Sequence, residues 1–169
     1  SNGVKINAST EDQGNAGEIK INTTDFTLEK GTSLTTETNS AGLAGNIEIN
    51  TKKLTIGQNA QISATALEGA SNQEAGGNIT INANNLDISG KLGIFAETAG
   101  ESPAGTLTLN PYKNNPNLNI EFKEKGFISA RTTSTGSGGK IEISAPEKIH
   151  ITGDSRGPPL SPRMNGMLC

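Results

Sequence analysis

The sequence is poor in the residues that normally fill a globular core. It contains no tryptophan, aromatic residues make up 3% of its 169 positions, and hydrophobic residues make up 31%. A compact domain of this length normally holds more apolar volume, so a thick hydrophobic core is excluded. Glycine is abundant instead, with 21 residues. Two interpretations fit this composition, namely a disordered chain or a thin repetitive fold with a narrow core.

Other scarce residues exclude several classes of function. The only cysteine, Cys169, is the last residue, so it cannot form an internal disulfide and we expect no catalytic role for it. The net charge is −3 and no basic run occurs, which argues against nucleic-acid binding. No stretch approaches the roughly 20 apolar residues of a membrane helix, so no membrane insertion is expected. His150, the only histidine, has no second His or Cys for a zinc site, and we expect neither a metal nor another cofactor.

Comparison of the sequence with itself shows imperfect repeats. The segment VKINAST, which precedes Gly17, matches the last third of a repeat. Each later repeat begins with a glycine that is followed by alternating apolar and polar residues. The starts lie 28 to 34 residues apart, at Gly17, Gly45, Gly77, Gly105 and Gly139. A disordered chain would lack such hydrophobic periodicity, so the repetitive fold is favoured.

Each repeat contains three short runs in which apolar and polar residues alternate, which is typical of β-strands. Successive strand residues point to opposite faces, so one repeat offers apolar stripes that only the next repeat can cover. The equivalent apolar positions predict three interior ladders: Ile19, Ile47, Ile79, Leu107 and Ile141 in the first run; Leu28, Ile56, Ile88 and Ile120 in the second; and Ile62, Ile94 and Ile128 in the third. The second inward position of the third run is small, usually alanine, which narrows the core.

We therefore predict an all-β fold, a right-handed single-stranded parallel β-helix. It has three strands per coil and about five coils, which begin near residues 17, 45, 77, 105 and 139 of a repeat domain over 1–153. Residues 154–169 contain prolines and no alternation, so we interpret them as an irregular or disordered tail. The end coils of such a fold are open sheet edges, so end-to-end self-association is expected.

The corners between the runs carry residues that suit turns. Asparagine follows the first run in four repeats and predicts a ladder of stacked amides, whereas glycine follows the second run and predicts positive φ angles. The third corner varies in length, and a four-residue insertion near Tyr112 enlarges one first corner. The longest third-corner loop and the insertion supply the candidate contact residues, which are Glu68, Asn72, Gln73, Glu74, Tyr112 and Lys113.

One outward column contains carboxylates and raises the question of catalysis. Glu37 and Glu97 lie two coils apart, about 9.6 Å at sheet spacing, which only loosely overlaps the separation used by inverting glycosidases. Thr65 lies between them. We therefore predict no enzyme, and interpret Glu97 beside Arg131 as a cross-strand ion pair. Lys20 beside Glu48 is interpreted in the same way. A carbohydrate-active β-helix, a carbohydrate-binding module, and an anti-freeze or S-layer-like module remain as alternatives.

The units GNAGEIKIN, AGNIEINTKKLTIGQNAQISATA and GGNITINANNLDISG resemble the repeats of filamentous-haemagglutinin-type exoproteins, especially cyanobacterial ones. The resemblance covers about residues 3–153. It implies a right-handed β-helix exported by two-partner secretion, in which an outer-membrane transporter recognises an N-terminal secretion domain. That domain is not recognisable here, so the resemblance implies an internal or C-terminal part of a longer exoprotein. The implied function is a structural or adhesive shaft, extracellular or on the bacterial surface, that contacts glycans or proteins of cell surfaces.

Overall fold

The computed structural model describes residues 4–39, 41–71 and 76–153, and these residues form fifteen strands and no helix. The predicted tail at 154–169 lies outside the described residues. The strands are β1 (Lys5–Asn7), β2 (Ile19–Asn22), β3 (Asp25–Leu28), β4 (Ser33–Thr35), β5 (Ile47–Asn50), β6 (Lys53–Ile56), β7 (Gln61–Ser63), β8 (Ile79–Asn82), β9 (Asn85–Ser89), β10 (Gly93–Phe95), β11 (Thr106–Asn110), β12 (Asn117–Lys123), β13 (Phe127–Ser129), β14 (Lys140–Ile143) and β15 (Lys148–Gly153).

The strands form three parallel sheets of five strands each. The first sheet contains β2, β5, β8, β11 and β14; the second contains β3, β6, β9, β12 and β15; and the third contains β1, β4, β7, β10 and β13. The chain visits one strand of each sheet in turn and then pairs with the coil before it. The fold is therefore a parallel β-solenoid with three strands per coil and five coils, which confirms the predicted architecture.

The first and third predicted ladders are in register. Ile19, Ile47, Ile79, Leu107 and Ile141 are successive partners in the first sheet. Ile62, Ile94 and Ile128 are successive partners in the third. Ile79 and Leu107 are 0% exposed, whereas Ile141 in the last coil is 43% exposed. Each interior coil is therefore shielded by the coils on both sides. The core is a stack of aliphatic columns, and each coil contributes one residue to each column.

The second predicted ladder is wrong between its third and fourth coils. Ile88 pairs with Phe122, and Ile120 pairs instead with Leu86. The corrected columns are Leu28, Ile56, Ile88 and Phe122, beside Phe26, Leu54, Leu86, Ile120 and Ile151. The prediction placed Ile120 beside Ile88, whereas Ile120 pairs with Leu86, two positions earlier in β9.

The cause is the length of the insertion at the first corner of the fourth coil. Asn110 contacts Asn82, 28 positions earlier, whereas Asn119 contacts Asn85, 34 positions earlier. Six residues are therefore inserted between them, rather than the predicted four. Part of the insertion continues as strand, because β12 begins at Asn117 and is seven residues long.

The glycines that open the coils are required by close backbone approach. A Cβ on Gly105 would lie 1.8 Å from the carbonyl oxygen of Gly77, and one on Gly45 would lie 1.8 Å from the carbonyl oxygen of Gly17. No side chain fits at such distances. The recurring glycine thus allows each coil to approach the one before it at this corner.

The glycines that follow the second run were predicted to take positive φ, and this is correct for only two of them. Gly31 (φ 75°) and Gly90 (φ 93°) are left-handed, whereas Gly57, Gly126 and Gly153 are not. The left-handed residue in the coil of Gly57 is Asn59, and those in the coil of Gly126 are Glu124 and Lys125. Gly126 instead allows its backbone to lie close to the coil before it, because a Cβ there would lie 2.6 Å from the carbonyl oxygen of Ile88.

The predicted asparagine ladder is confirmed. The side-chain amide of Asn50 donates to Asn22 at 2.9 Å, that of Asn82 to Asn50 at 2.7 Å, and that of Asn110 to Asn82 at 3.2 Å. The amides of Asn50 and Asn82 each donate to one coil and accept from the next, so the ladder fixes the register of the first sheet at the end of its strands.

Candidate functional site

The predicted contact residues of the third corner are described only in part. Glu68 is exposed and lines a cleft of about 460 Å³ with Ala99, Gly100, Glu101, Thr133 and Ser134. Three consecutive coils contribute to this cleft, which carries two carboxylates and two hydroxyl groups. Asn72, Gln73 and Glu74 lie outside the described residues.

The predicted contact residues of the first corner contact each other. The Nζ of Lys113 lies 4.9 Å from the centroid of the Tyr112 ring, a cation–π geometry. The backbone N–H of Tyr112 donates to Oδ1 of Asn84 at 2.9 Å, which ties the insertion to the coil before it. Tyr112 is half-buried, and Lys113 is exposed. The structure therefore brings these two residues together and leaves Glu68 at a different corner.

A third surface lies at the second corner and was not predicted. Six residues line a cleft of about 390 Å³, which we call the second-corner cleft: Gln58, Asn59, Gly90, Lys91, Glu124 and Lys125. They form three dipeptides at the same corner of three consecutive coils. Each dipeptide follows the second-sheet strand of its coil, so the stacking of the strands sets the spacing of these side chains.

Gly90 shapes the second-corner cleft because it contributes no side chain to the middle coil. The side-chain amide of Gln58 donates across Gly90 to the carboxylate of Glu124, two coils away. A Cβ on Gly90 would lie 2.9 Å from Cα of Gln58, so a larger residue would crowd the gap. The amide and carboxylate line the cleft together with Lys91 and Lys125.

Three non-glycine residues of the second-corner cleft have left-handed backbones, with φ of 55° at Asn59, 49° at Glu124 and 71° at Lys125. Asparagine tolerates this conformation, but glutamate and lysine adopt it rarely. Such a conformation costs of order 1 to 3 kcal/mol and is commonest at ligand sites and switches. Glu124 and Lys125 are consecutive in the chain, and both line the cleft.

The second-corner cleft differs in charge from the rest of the chain. Its two ammonium groups and one carboxylate give it a positive balance, whereas the whole chain carries −3. It offers ammonium and amide donors together with carboxylate and amide acceptors. Polar groups of this kind suit a hydroxyl-rich ligand, and the excess of lysine favours an acidic one.

The misplaced register of the fourth coil explains why sequence analysis missed this cleft. The prediction gave Gly126 the corner position that Gly90 holds in the coil before it, so the corner looked like a glycine turn. In the correct register, Glu124 follows Phe122 as Gly90 follows Ile88. The signal that could have shown the cleft is the polar dipeptide that follows each of these second runs.

The carboxylate column of the third sheet is engaged in contacts within the protein. Glu97 Oε1 lies 3.1 Å from Nε of Arg131, which confirms the predicted ion pair, and Glu37 accepts a hydrogen bond from the Ser63 hydroxyl at 3.3 Å. The predicted pair of Lys20 and Glu48 is also present, at 2.6 Å. The hydrogen bond between these two groups raises the pKa of Lys20 and lowers the pKa of Glu48.

Within residues 4–39, 41–71 and 76–153, no group of three or more His, Cys, Asp or Glu side chains could hold a metal ion. The same residues contain no helix that is long and apolar enough to cross a membrane.

The chain was also compared with known proteins. No family model matches it, and neither the curated proteins nor the solved structures include a significant match.

Proposed function

We propose that the chain is a structural and adhesive β-helix shaft segment of a large secreted or surface-attached bacterial exoprotein, and that it is not a catalyst. The observation that carries the proposal is the arrangement of the core and clefts. The interior is filled by in-register aliphatic columns, and the clefts described above open outward at the corners of successive coils. A solenoid of this kind offers binding surface along its length rather than one enclosed site.

The proposal includes a location and partners. The resemblance of the repeats over about residues 3–153 to filamentous-haemagglutinin-type exoproteins supports an extracellular or cell-surface location. It also supports export of the parent protein by an outer-membrane transporter, as in two-partner secretion of the cyanobacterial type. The ligands would be glycans or proteins on cell surfaces.

Adhesion would arise from many weak contacts. The second-corner cleft is shallow and lies on the outside of the coils, so a single copy would bind a glycan weakly. A shaft that presents many such corners gains avidity, because each bound corner raises the effective concentration of ligand at the next. An acidic glycan fits the two lysines of the cleft best.

A glycan array tests the proposal. The chain is biotinylated through Cys169 and applied both as a single copy and as a tetramer on streptavidin. We expect binding of acidic glycans by the tetramer and little by the single copy. Lys91→Ala with Lys125→Ala should abolish that binding. Lys30→Ala is the matched control, because Lys30 is exposed at the second corner but outside the cleft. Tight binding of one oligosaccharide by the single copy would favour a carbohydrate-binding module instead.

A carbohydrate-active β-helix is the competing function, and the column of Glu37 and Glu97 is the feature that favours it. Incubation with a panel of polysaccharides separates the two functions. We expect no new reducing or unsaturated ends above those produced by the Glu97→Gln variant. Turnover by the wild-type chain that is lost in Glu97→Gln would overturn the shaft proposal.

A further inference from the structure

Two of the four phenylalanines lie on the outer face of the third sheet. Phe26 and Phe122 pack against the core of the solenoid. Phe95 in β10 and Phe127 in β13 each adjoin an inward isoleucine of the third column. Because successive strand residues point to opposite faces, both rings point outward. Filling of the core therefore does not account for these two rings.

The rings of Phe95 and Phe127 contact each other across adjacent coils. Their centroids lie 5.2 Å apart and their planes are inclined at 80°, which is an edge-to-face arrangement. Two nearly perpendicular planes cannot both lie flat on the sheet, so at least one ring stands up from it. Phe95 belongs to an interior strand that is paired with β7 and β13. We call the two rings the aromatic step.

The positions directly beside the aromatic step carry small side chains. Ser63 and Ser129 are the sheet partners of Phe95, and Gly93 is the partner of Phe127. A Cβ on Gly93 would lie 1.8 Å from the carbonyl oxygen of Phe127, so this position admits no side chain. The rings therefore rise above low neighbours, and a ligand can reach them from the side.

A row of polar side chains lies next to the aromatic step, two residues further along the same strands. Glu97 follows Phe95, and its Oε1 lies 3.1 Å from Nε of Arg131 in the next coil. This contact uses Nε, and the guanidinium also carries donors on its two terminal nitrogens. In the coil before, the hydroxyl groups of Ser63 and Thr65 lie 2.8 Å apart. A ligand that packs on the rings would therefore meet hydrogen-bond donors and acceptors along one side.

This combination matches the chemistry of a pyranose, which has an apolar face of C–H groups and a rim of hydroxyl groups. The C–H face can pack on an aromatic ring while the hydroxyl groups bond to a carboxylate and a guanidinium. Glu97 and Arg131 neutralise each other, so this row does not select an acidic sugar as the lysines of the second-corner cleft do. The expected ligand is therefore neutral.

The spacing of the coils favours a glycan that runs along the rod. Adjacent coils lie about 4.8 Å apart, which is close to the length of one pyranose unit in an extended chain. Successive sugars of such a chain would meet successive coils. Because the two rings are nearly perpendicular, they offer no flat platform for the surface of a crystalline polysaccharide. A single chain fits them better.

We propose that the outer face of the third sheet binds one neutral, extended β-linked glycan chain, with a pyranose packed on the aromatic step. Phe95 and Phe127 supply the packing surface, and Glu97 and Arg131 bond to the sugar hydroxyl groups. A further coil on β13 would extend the sheet within its own plane and leave this outer face open. The inference rests on the proposed adhesive function but adds a second site, with a different ligand from that of the second-corner cleft.

A fluorescent side chain in the aromatic step tests the proposal. The chain has no tryptophan, so Phe127→Trp adds a single probe and keeps an aromatic ring in place. Titration with cellohexaose or chitohexaose should shift its emission and reach saturation at millimolar concentration. Maltohexaose, which is α-linked and curved, should bind more weakly. Thr108→Trp is the matched control, because Thr108 lies outward in the same coil but in the first sheet, and its emission should not change.

Removal of both rings gives the second test, on the streptavidin tetramer. Phe95→Ala with Phe127→Ala should weaken binding of cellohexaose and chitohexaose by about tenfold or more. It should leave acidic-glycan binding unchanged. The unfolding midpoint should stay close to that of the wild type, since neither ring fills the core. Thr80→Ala with Thr108→Ala alters the first sheet in the same two coils and should leave neutral binding unchanged.

The outcomes distinguish this site from the second-corner cleft. Neutral binding that is lost with the two rings supports the inference even if no acidic glycan binds. A wild-type tetramer that binds acidic glycans but neither neutral hexamer would overturn the inference and leave the proposed function standing. Equal neutral binding by the wild type and the double variant would also overturn it. So would self-association that depends on the two rings, because the face would then belong to a second copy.

Discussion

Phe122 lies beside Ile88 in the second sheet and continues its column, although the sequence pattern assigns that place to Ile120. Phe122 is half-buried and packs against the core. The same register makes Glu121 the outward neighbour of Asp87. Relative to the prediction, this offset of two residues shifts each side chain of β12 to the next position on the same face of the sheet. It also places Glu124 and Lys125 in the second-corner cleft.

Disulfide trapping tests this register directly. In a Cys169→Ser background, Asp87→Cys with Glu121→Cys should form a disulfide under mild oxidation, because directly paired residues of adjacent strands lie within the Cα separation that a disulfide spans. Asp87→Cys with Asn119→Cys is the control, since those residues are offset by two positions. Non-reducing electrophoresis after proteolysis reads out the bridge. A bridge formed only by the second pair would restore the register expected from the sequence.

Removal of buried side-chain volume should cost more in a middle coil than in an end coil of the same column. Ile79→Ala should lower the free energy of unfolding by about 2 to 5 kcal/mol, because Ile79 is 0% exposed and the cavity it leaves is walled by neighbouring coils. Ile141→Ala removes the same atoms from a site that is 43% exposed and should cost well under half as much. Urea denaturation followed by circular dichroism measures both. Equal losses would show that Ile79 is not enclosed by stacked coils.

The coil-opening glycines give a second stability test. Gly105→Ala places a Cβ 1.8 Å from the carbonyl oxygen of Gly77, so the backbone of two coils must move apart. We expect a loss of about 1 to 3 kcal/mol, typical of overpacking. Gly138→Ala is the matched control, because a Cβ at Gly138 meets nothing within 4 Å. Urea midpoints of the two variants that coincide would contradict the close approach of these coils.

The ion pair between Lys20 and Glu48 makes stability depend on pH at both ends of the scale. The pKa of Glu48 is lowered in the folded chain, so its contribution is present above its ordinary value of 4.5 and is lost as the pH falls through the lowered pKa. The pKa of Lys20 is raised, so its contribution is present below its ordinary value of 10.5 and is lost as the pH rises through the raised pKa.

The difference in Tm between the wild type and Lys20→Met should therefore be constant between about pH 5 and pH 10 and shrink outside that range. Added salt should reduce it, because both side chains are partly exposed and their attraction is screened. Lys30→Met removes an exposed lysine elsewhere and serves as control. A difference that grew as the pH fell below 4 would contradict the pairing.

Much of the fold could be predicted from the sequence because the repeats state the same information several times. The alternation of apolar and polar residues in each run identifies the strands, and the recurrence of Ile or Leu at equivalent positions identifies the inward face. The asparagine ladder was also predictable, since an amide can donate to one coil and accept from the next. These features depend on neighbours one coil away, which the repeat makes visible.

The cleft and the register of the fourth coil depend on information that the repeats lack. An insertion can be placed at either end of a strand with the same apolar pattern, because Leu118, Ile120 and Phe122 all alternate correctly. Backbone pairing chooses among them: the backbone N–H of Asn119 donates to the carbonyl of Asn84 at 3.0 Å, and its side-chain amide donates to Oδ1 of Asn85 at 3.2 Å. The left-handed conformations of Glu124 and Lys125 follow from that choice and have no signal of their own in residue type.

Methyl contacts in solution test the central claim, that aliphatic columns stack coil on coil, most directly. With isoleucine and leucine methyl groups labelled, nuclear Overhauser spectra should connect Ile47 to Ile79 and Ile79 to Leu107, each at the spacing of adjacent coils. Ile47 and Leu107, two coils apart, should give no direct contact. Spectra that link Ile79 to neither of its column partners, or that show helical contacts in their place, would contradict the account.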